Sequence, residues 1–422
     1  MEGTYGVVTL EPIIVKTAKP EEEQILISSE TLMEVSILKH LNQSYIQDQL
    51  EYNPFPELYN AGVHINDNHQ VISTIKMSNV GKSLYQIAVE NELNSKEVCN
   101  LINFHLPNIL RCVTIMHQNR VIHKDLTPKN IMIDNRNRIR IIDFGLSNFA
   151  GVPDGFHITR TIPGYQDTTS TQAHDIWILG ASLVNLCLID GEYIDPNDLM
   201  KIVKLIESHY PNLGSDPDDI LNDMLMGELS VEIPIPDSIP QPLRHELQSM
   251  ISIHPNDRSW EVEVVPPPPS WDLPIPSIDS TISNRFQRLV DNLLSRVSSS
   301  TQLTVAISIL SRWFKNYGSI PDVELANKVL IGIQTIVTDE HLTRSTVGQY
   351  VNSEAPITEL IKYQVMILKS IDGRVYNYHN TLQITDEIRR LIRVIKADSQ
   401  RGSYFLFTEQ QLVDRYRSLL NQ

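Results

Sequence analysis

Residues 121–153 read VIHKDLTPKNIMIDNRNRIRIIDFGLSNFAGVP, and no other stretch says as much about the fold. Asp125 and Asn130 lie near its start, and Asp143-Phe144-Gly145 begins eighteen residues after Asp125. Between these polar groups, residues 131–134 and 138–142 are isoleucine-rich and are typical of two short strands. Such a pair of strands would aim both of its ends at one site. We therefore expect the two aspartates and the asparagine to lie together.

Composition limits the possible partners of the chain. The chain has 422 residues, more than one hydrophobic core usually supports, so we expect two or three domains. Its 41% hydrophobic and 20% charged residues are typical of a globular protein. The acidic residues number 51 and the basic residues 35, which gives a formal charge of -16. This excess of negative charge argues against adhesion to nucleic acid or to an anionic membrane. We expect neither as a partner.

Cysteine usage and hydropathy indicate an intracellular protein, cytoplasmic or nuclear. Cys99, Cys112 and Cys187 form no metal-ligand pair, and this usage suits a reducing compartment. The longest apolar run, residues 176–189, is shorter than the roughly 20 residues that span a bilayer, so it predicts a buried helix. The first residues contain neither a cationic start nor an apolar stretch, and we expect no signal peptide.

The polar residues of 121–153 match the requirements of phosphoryl transfer from ATP. That chemistry needs a phosphate cradle, a metal held by oxygen ligands, a cation on the phosphates and a carboxylate that orients the attacking hydroxyl. The stretch resembles the catalytic and metal-binding loops of cyclin-dependent kinases. The resemblance implies ATP and Mg²⁺ as cofactors and a protein as substrate. It also implies that Asp125 is the catalytic base and that Asn130 and Asp143 are Mg²⁺ ligands.

The amino-terminal residues resemble the nucleotide-binding part of the same family. In residues 2–8, EGTYGVV, the resemblance implies nucleotide contacts from Gly3, Thr4, Tyr5, Gly6 and Val8. Lys16 would pair with the phosphates, and Glu34 on the predicted helix TLMEVSILKHL would hold Lys16. Ile75, Met132 and Lys129 complete the implied nucleotide contacts. In isolation, a glycine turn, a lysine and a glutamate are ordinary surface features.

Periodicity places these residues on elements. Residues 7–10 and 13–16 predict strands, and Ser28 or Ser29 caps a predicted helix with apolar residues three apart. A second helix from Ser95 has five apolar residues on one face, with Pro107 expected to kink or restart it. These five are Leu106, Ile109, Leu110, Val113 and Met116. The run that starts at Asp175 resembles the central kinase helix, whose aspartate anchors the catalytic loop.

A proline run at residues 266–269 marks a domain boundary. The predicted fold is an α+β bilobal protein kinase, with an N-lobe at 1–78, a C-lobe at 79–262 and a linker at 263–282, followed by an all-α domain at 283–422. Residues 300–318, 327–342 and 357–381 resemble helices of a cyclin box, and an unrelated five-helix bundle is the alternative. We expect this domain to pack in cis beside the helix of Glu34.

Several residues depart from the family pattern. Met1 occupies the position of the first glycine of the loop, and Ile14 replaces a small alanine over the adenine. Thr127 replaces the lysine that follows the catalytic aspartate by two residues, and Lys129 is the candidate to take over the role of that lysine. Lys124 replaces an arginine that in the family binds a phosphorylated activation segment through two parallel hydrogen bonds, which a lysine cannot form.

The activation segment and the cyclin-like region also depart from it. No Ala-Pro-Glu precedes Asp175, which leaves Asp167 as the candidate partner of Arg258. Asp339 and Gln364 lie where cyclins keep the lysine and glutamate that grip the kinase. These departures keep two alternatives open, a pseudokinase scaffold and a phosphotransferase for a small molecule.

Overall fold

The computed structural model of the chain describes sixteen stretches of residues, and the following description concerns these alone. They are residues 2–3, 6–9, 13–18, 27–48, 52–65, 71–150, 162–163, 171–188, 193–194, 198–213, 216–258, 305–306, 309–310, 312–313, 323–337 and 356–375. The predicted linker at 263–282, Asp167 and Asp339 lie outside them.

An antiparallel sheet of five strands forms the first part of the chain. The strands are β1 (Glu2–Gly3), β2 (Gly6–Thr9), β3 (Ile13–Ala18), β4 (Leu58–Ile65) and β5 (Val71–Ser78). Their spatial order is β1-β2-β3-β5-β4, and β3 pairs with β5 so that Lys16 lies opposite Ile75. The two predicted strands at 7–10 and 13–16 are confirmed as β2 and β3, with ends shifted by one or two residues.

Helix α1 (Ser29–Asp48) packs against this sheet. The hydroxyl of Ser28 accepts a hydrogen bond from the backbone N–H of Thr31 at 3.2 Å, which satisfies one of the donors that a helix start leaves open. Residues 32–38 are all buried, so this part of the helix is enclosed on every side, and its apolar residues with Leu41 are Leu32, Met33, Val35, Ile37 and Leu38. Glu34 is 2% exposed among these apolar residues. A carboxylate buried in this way requires a partner.

The residues after β5 are mainly helical. The helices are α2 (Leu84–Glu90), α3 (Ser95–Gln118), α4 (Gln172–Leu188), α5 (Leu199–His209), α6 (Pro217–Met226) and α7 (Leu243–Met250), and a 3₁₀ turn spans Pro255–Asp257. Capping boxes begin two of them, from Ser83 with Gln86 and from Asn94 with Glu97. A sheet followed by helices is the arrangement expected of a bilobal kinase fold.

Helix α3 continues through Pro107 without interruption, so it does not restart there, and the alternative, a kink at Pro107, stays a prediction. Proline removes one backbone hydrogen bond from a helix interior. Here Pro107 is exposed, while the five predicted apolar residues of the same helix are all buried. The packing of that face outweighs the lost bond.

Short strands shape the region between α3 and α4. They are β6 (Lys82–Ser83), β7 (Val121–Ile122), β8 (Ile131–Ile133), β9 (Ile139–Ile141) and β10 (Asn148–Phe149). β6, β8 and β9 form an antiparallel sheet, and β7 pairs with β10. The two strands predicted between Asp125 and Asp143 are confirmed as the hairpin β8–β9.

Residues 176–188 of the apolar run lie in α4, which is buried along most of its length, as predicted. Trp177 is fully buried, and a Cβ on Gly180 would lie 2.7 Å from the Cβ of Met250 in α7. Among the described helices, none combines the length and apolarity needed to cross a membrane.

Arg258 is buried next to α4, and its guanidinium donates to four backbone carbonyls of described residues. The acceptors are Ser252 (2.7 Å), Ala173 (3.2 Å), Pro163 (2.5 Å) and Ile253 (3.0 Å). These bonds join the end of the kinase-like region to the segment before α4. The pairing of Arg258 with Asp167 stays a prediction, because Asp167 lies outside the described residues.

Two helices are described in the carboxy-terminal region, α8 (Val323–Val337) and α9 (Ile357–Ser370). They approach closely at Gly332, where an added Cβ would lie 2.7 Å from the carbonyl oxygen of Tyr363. Gln364 is fully buried and donates to the carbonyl of Thr335 at 3.3 Å, so it joins α9 to α8. The likeness to a cyclin box and the domain boundaries stay predictions.

Candidate functional site

Three charged side chains meet where the sheet, α1 and the segment after β9 converge. The Nζ of Lys16 lies 2.7 Å from Oε2 of Glu34 and 2.6 Å from Oδ1 of Asp143. The side chain of Glu34 is 3% exposed, while those of Lys16 and Asp143 are 20% and 38% exposed. One cation therefore bridges a buried carboxylate and a carboxylate open to solvent. The structure brings together three residues that are 127 positions apart at the extremes.

Burial and pairing act in opposite directions on these three groups. Burial lowers the pKa of Lys16, but Glu34 and Asp143 outweigh it and raise that pKa well above its ordinary value. Burial also raises the pKa of Asp143, and the ammonium of Lys16 outweighs it, so that this pKa is lowered. For Glu34 burial prevails over Lys16 and raises the pKa. Lys16 and Asp143 are thus held in their charged forms.

The loop after β7 positions Asp125 and Asn130. The side-chain nitrogen Nδ2 of Asn130 donates to the backbone carbonyl and to Oδ2 of Asp125, both at 2.9 Å. Backbone bonds from Thr127 to Asp125 (2.8 Å) and from Asn130 to Thr127 (2.9 Å) close the turn between them. Asp125 is therefore fixed by its own loop.

Asp175, at the start of α4, holds the backbone of this loop in place. Its fully buried carboxylate accepts the backbone N–H groups of His123 and Lys124, each at 2.7 Å, and also pairs with Nε2 of His117 at 2.8 Å. Burial raises the pKa of Asp175, but the bonds from His117 and the backbone outweigh it and lower that pKa. Lys124 has a φ of 67°, a left-handed conformation that costs energy for a residue with a side chain. The buried carboxylate stabilises that conformation.

Phe144 sets the direction of its neighbour Asp143. The Phe144 ring is fully buried, edge-on to Phe55 with centroids 5.9 Å apart, and 5.1 Å from the ring of His123. His123 accepts from the N–H of Asp125 through Nδ1 (3.3 Å), so Nε2 is the nitrogen that donates to the carbonyl of Ile142 (2.9 Å). With the phenyl ring held inward, the carboxylate of Asp143 points towards Lys16.

Asn130 and Asp143 form a donor set that suits Mg²⁺. The backbone N–H of Ile142 donates to the carbonyl of Asn130 at 3.0 Å, so Asn130 lies beside the residue that precedes Asp143. Carboxylate and amide oxygens are hard ligands, and Mg²⁺ in such sites takes its other oxygens from water and substrate phosphates. Within the described ranges, no group of three or more His, Cys, Asp or Glu side chains is arranged to hold a metal by itself. The pair therefore fits a metal that arrives with a nucleotide.

The other predicted nucleotide contacts are placed unevenly. Gly3 pairs with Gly6 across β1 and β2, and Val8 pairs with Lys16 across β2 and β3, while Thr4 and Tyr5 lie outside the described residues.

Ile75, Met132 and Lys129 differ in how much surface they offer. Ile75 is 2% exposed and clusters with Val35 of α1 and with Met77, so packing against α1 takes up its surface. Met132 is 7% exposed, and the ammonium of the exposed Lys129 lies 5.3 Å from the ring centroid of Tyr85. The nucleotide contacts of all three stay predictions.

Sequence reasoning placed the carboxy-terminal domain beside the helix of Glu34, but it did not name the side chains that contact α1. Lys39 donates to the carbonyl of Asp372 and lies 2.8 Å from Oδ1 of the same residue, and Arg374 donates to Oε1 of Gln43 at 2.5 Å. Gly373 has a φ of 65°, and a Cβ there would lie 3.6 Å from Cγ1 of Val35. The turn after α9 thus lies directly against the helix of Glu34. No local sequence pattern indicates these contacts, because Lys39 and Asp372 are 333 residues apart.

Comparisons with known proteins identify the family of the chain. The protein kinase domain model matches residues 3–268. The SNF1-related protein kinase catalytic subunit alpha KIN12 of Arabidopsis thaliana is 26% identical over 316 residues, which cover 70% of this chain and 57% of that protein. The chain therefore spans less than two thirds of that relative's length. Because the family model matches more than half of the chain, this chain belongs to the protein kinase domain family.

Proposed function

We propose that the chain is an ATP-dependent serine/threonine protein kinase of the cyclin-dependent-kinase type, regulated in cis by its own carboxy-terminal region. Membership of the kinase family indicates the use of ATP and of protein substrates in general. The single observation that best supports an active enzyme is the position of Lys16, 2.7 Å from Glu34 and 2.6 Å from Asp143. In protein kinases this lysine–glutamate pair and the metal-binding aspartate must both be in place for transfer.

We call the site formed by Lys16, Glu34, Asp125, Asn130 and Asp143 the cleft, and each of these residues has a role in the proposed reaction. Asp125 orients the hydroxyl of the substrate and takes its proton, while Asn130 and Asp143 hold the divalent metal that neutralises charge on the phosphates. Lys16 contacts the phosphates, and Glu34 keeps Lys16 in position. Since Asn130 donates to Asp125 at 2.9 Å, the base and one metal ligand are held by the same bond.

The cis regulation rests on the turn at 371–375. This turn contacts α1 through Lys39 and Gln43, which lie on the same helix as Glu34, one to three turns further along. A tether within one chain raises the effective concentration to about millimolar, so a small interface remains occupied. We infer that the turn fixes α1 and thereby the Lys16–Glu34 pair.

Transfer of the γ-phosphate from labelled ATP to a generic protein substrate tests the catalytic proposal. We expect activity for the full chain and a loss of about 10² to 10⁴ for Asp125→Asn, the usual contribution of a general base. Asp143→Asn should abolish transfer. The exposed Asp219 offers a matched control, and Asp219→Asn should retain full activity. Equal activity in all four proteins would refute the catalytic role.

A charge swap tests the regulatory proposal separately. Asp372→Lys should lower the transfer rate by repelling Lys39, and adding Lys39→Asp should restore part of the loss. Mere damage to the fold would not be repaired by the second change. A transfer rate that stays the same in both variants would count against regulation through this turn and leave the catalytic proposal intact.

A second candidate is a scaffold that keeps the kinase fold without catalysis. Ile14 favours it, since this bulky side chain pairs opposite Met77 and packs against the cluster with Val35, beside the expected adenine position. Thr127 also removes a cation from the expected phosphate site. A thermal shift with Mg-ATP separates the two, because ligand at 100 times Kd stabilises the folded state by about 2.7 kcal/mol. No shift at millimolar ATP would favour the scaffold.

A further inference from the structure

Three arginines belong to the β8–β9 hairpin, and a fourth lies on the neighbouring helix α3. Arg136 lies in the turn, Arg138 and Arg140 follow on alternate positions that share one face, and Arg111 comes from the exposed side of α3. Together with Tyr52 they form a surface that we name the arginine patch. The chain as a whole carries a formal charge of -16, so the sign of this surface is opposite to the net charge.

Tyr52 is the centre of the arginine patch. The guanidinium carbons of Arg138 and Arg140 lie 5.1 Å and 5.0 Å from the centroid of its ring. Burial raises the pKa of Tyr52, and Arg140 and Arg111 both oppose that rise electrostatically, so Arg111 belongs to the same surface. Stacking on an aromatic ring restricts the flexible arginine side chains.

Within the described part of the chain, the carboxylate that pairs with Arg138 and Arg140 is that of Asp134. Its Oδ1 accepts the backbone N–H groups of Arg136 and Arg138 at 2.9 Å, and its Oδ2 accepts Nε of Arg138 (2.9 Å) and a terminal nitrogen of Arg140 (3.2 Å). Burial raises the pKa of Asp134, but these bonds outweigh it and lower the pKa to about 2. The carboxyl group of Asp134 is therefore ionised, and each of its oxygens accepts two hydrogen bonds from the arginines. Among the residues that the structure describes, no other carboxylate pairs with the four arginines.

We propose that the arginine patch binds an acidic segment of a partner protein through carboxylate or phosphate groups. Guanidinium groups recognise both oxyanions through paired N–H donors. Arg138 and Arg140 are already oriented by Asp134 and Tyr52, which reduces the entropy lost on binding. Arg111 and Arg136 are exposed and supply the outer contacts. A nucleic acid fits less well, because the arginines occupy the ring on which a base would stack and the chain as a whole is acidic.

The arginine patch is separate from the site proposed for phosphoryl transfer. Asn130 precedes β8 and Asp134 follows it, a span of about 13 Å for extended chain. A bound segment would therefore leave the cleft open. The inference goes beyond the proposed kinase activity, and a binding measurement without ATP tests it whether or not the chain transfers phosphate.

Fluorescence anisotropy of labelled decapeptides with the full chain is a direct test. We expect binding of a glutamate-rich peptide and of a phosphoserine-rich one, weakening as salt rises, and none of the glutamine counterpart. The relative affinities of the two acidic peptides separate carboxylate from phosphate recognition. Arg111→Glu with Arg136→Glu should weaken binding about tenfold or more, the scale of one charge-assisted hydrogen bond.

Lys96→Glu with Lys204→Glu is the matched control. Both lysines are exposed, on α3 and α5, and the pair changes the net charge by the same amount. Its affinity should equal that of the unmodified chain. Equal losses in the two double variants would show a non-specific charge effect and overturn the proposal. So would an absence of binding at millimolar peptide, or tighter binding of a single-stranded oligonucleotide than of either acidic peptide.

Discussion

Replacement of Asp175 tests how the catalytic loop is held. In Asp175→Ala the backbone N–H groups of His123 and Lys124, each now bonded at 2.7 Å, lose their acceptor inside the protein. A buried donor left without a partner costs about 1–3 kcal/mol, so the two amides together cost about 2–6 kcal/mol. A typical domain has about 5–15 kcal/mol in total. We expect Asp175→Ala to be severely destabilised and Asp175→Asn, which keeps one acceptor oxygen, to lose about half as much.

The assay is urea unfolding of the full chain followed by intrinsic fluorescence, with phosphate transfer measured in parallel. Because the pKa of Asp175 is lowered in the folded state, its stabilisation is present above the unfolded value of about 3.9 and is lost as pH falls through the folded value. The difference from Asp175→Asn should thus be full at pH 7 and shrink in acid. Asp219→Asn, an exposed control, should change stability by less than about 0.5 kcal/mol. An Asp175→Ala protein as stable as this control would refute the anchoring role.

Three further changes test the packing and the charges elsewhere. Gly332→Ala should destabilise by about 1–3 kcal/mol in urea unfolding, since its Cβ would lie 2.7 Å from the Tyr363 carbonyl; a gain of about 1 kcal/mol, usual for this change in a helix, would contradict the close approach of α8 and α9. A double-mutant cycle of Lys39→Ala and Asp372→Ala should give a coupling of about 0.2–1 kcal/mol at low salt, and zero coupling would argue against the contact. Asp134→Asn should cost about 2 kcal/mol at pH 7, because its folded pKa of about 2 lies below the ordinary 3.8, and this cost should vanish near pH 2; a cost independent of pH would exclude the ion pairs as its cause.

The sequence predicted the loop and hairpin at 121–153 well because everything they need is contiguous. Strand alternation and turn residues specify β8 and β9 locally, and the hairpin then brings Asn130 beside the residue that precedes Asp143. The pairing of Lys16 with Glu34 came from resemblance alone, since a lysine and a glutamate eighteen residues apart are uninformative by themselves.

Other features depend on contacts that no local pattern encodes. Pro107 was expected to kink or restart α3, but the helix runs on through it, because its buried face outweighs one missing hydrogen bond. Arg258 was expected to lack the glutamate partner of its family, and its guanidinium donates to backbone carbonyls. The turn at 371–375 contacts α1 through residues 333 positions apart in the sequence. Long-range partners of this kind are fixed by packing, which a single sequence does not display.

The central claim is that Lys16, Asn130 and Asp143 form a cleft for metal-bound ATP. Isothermal titration of the full chain with ATP, with and without Mg²⁺, measures this directly. We expect saturable binding that strengthens when Mg²⁺ is added, and we expect Asp143→Asn to lose the metal-dependent part while keeping the fold. Absence of binding at millimolar ATP in both conditions would contradict the claim.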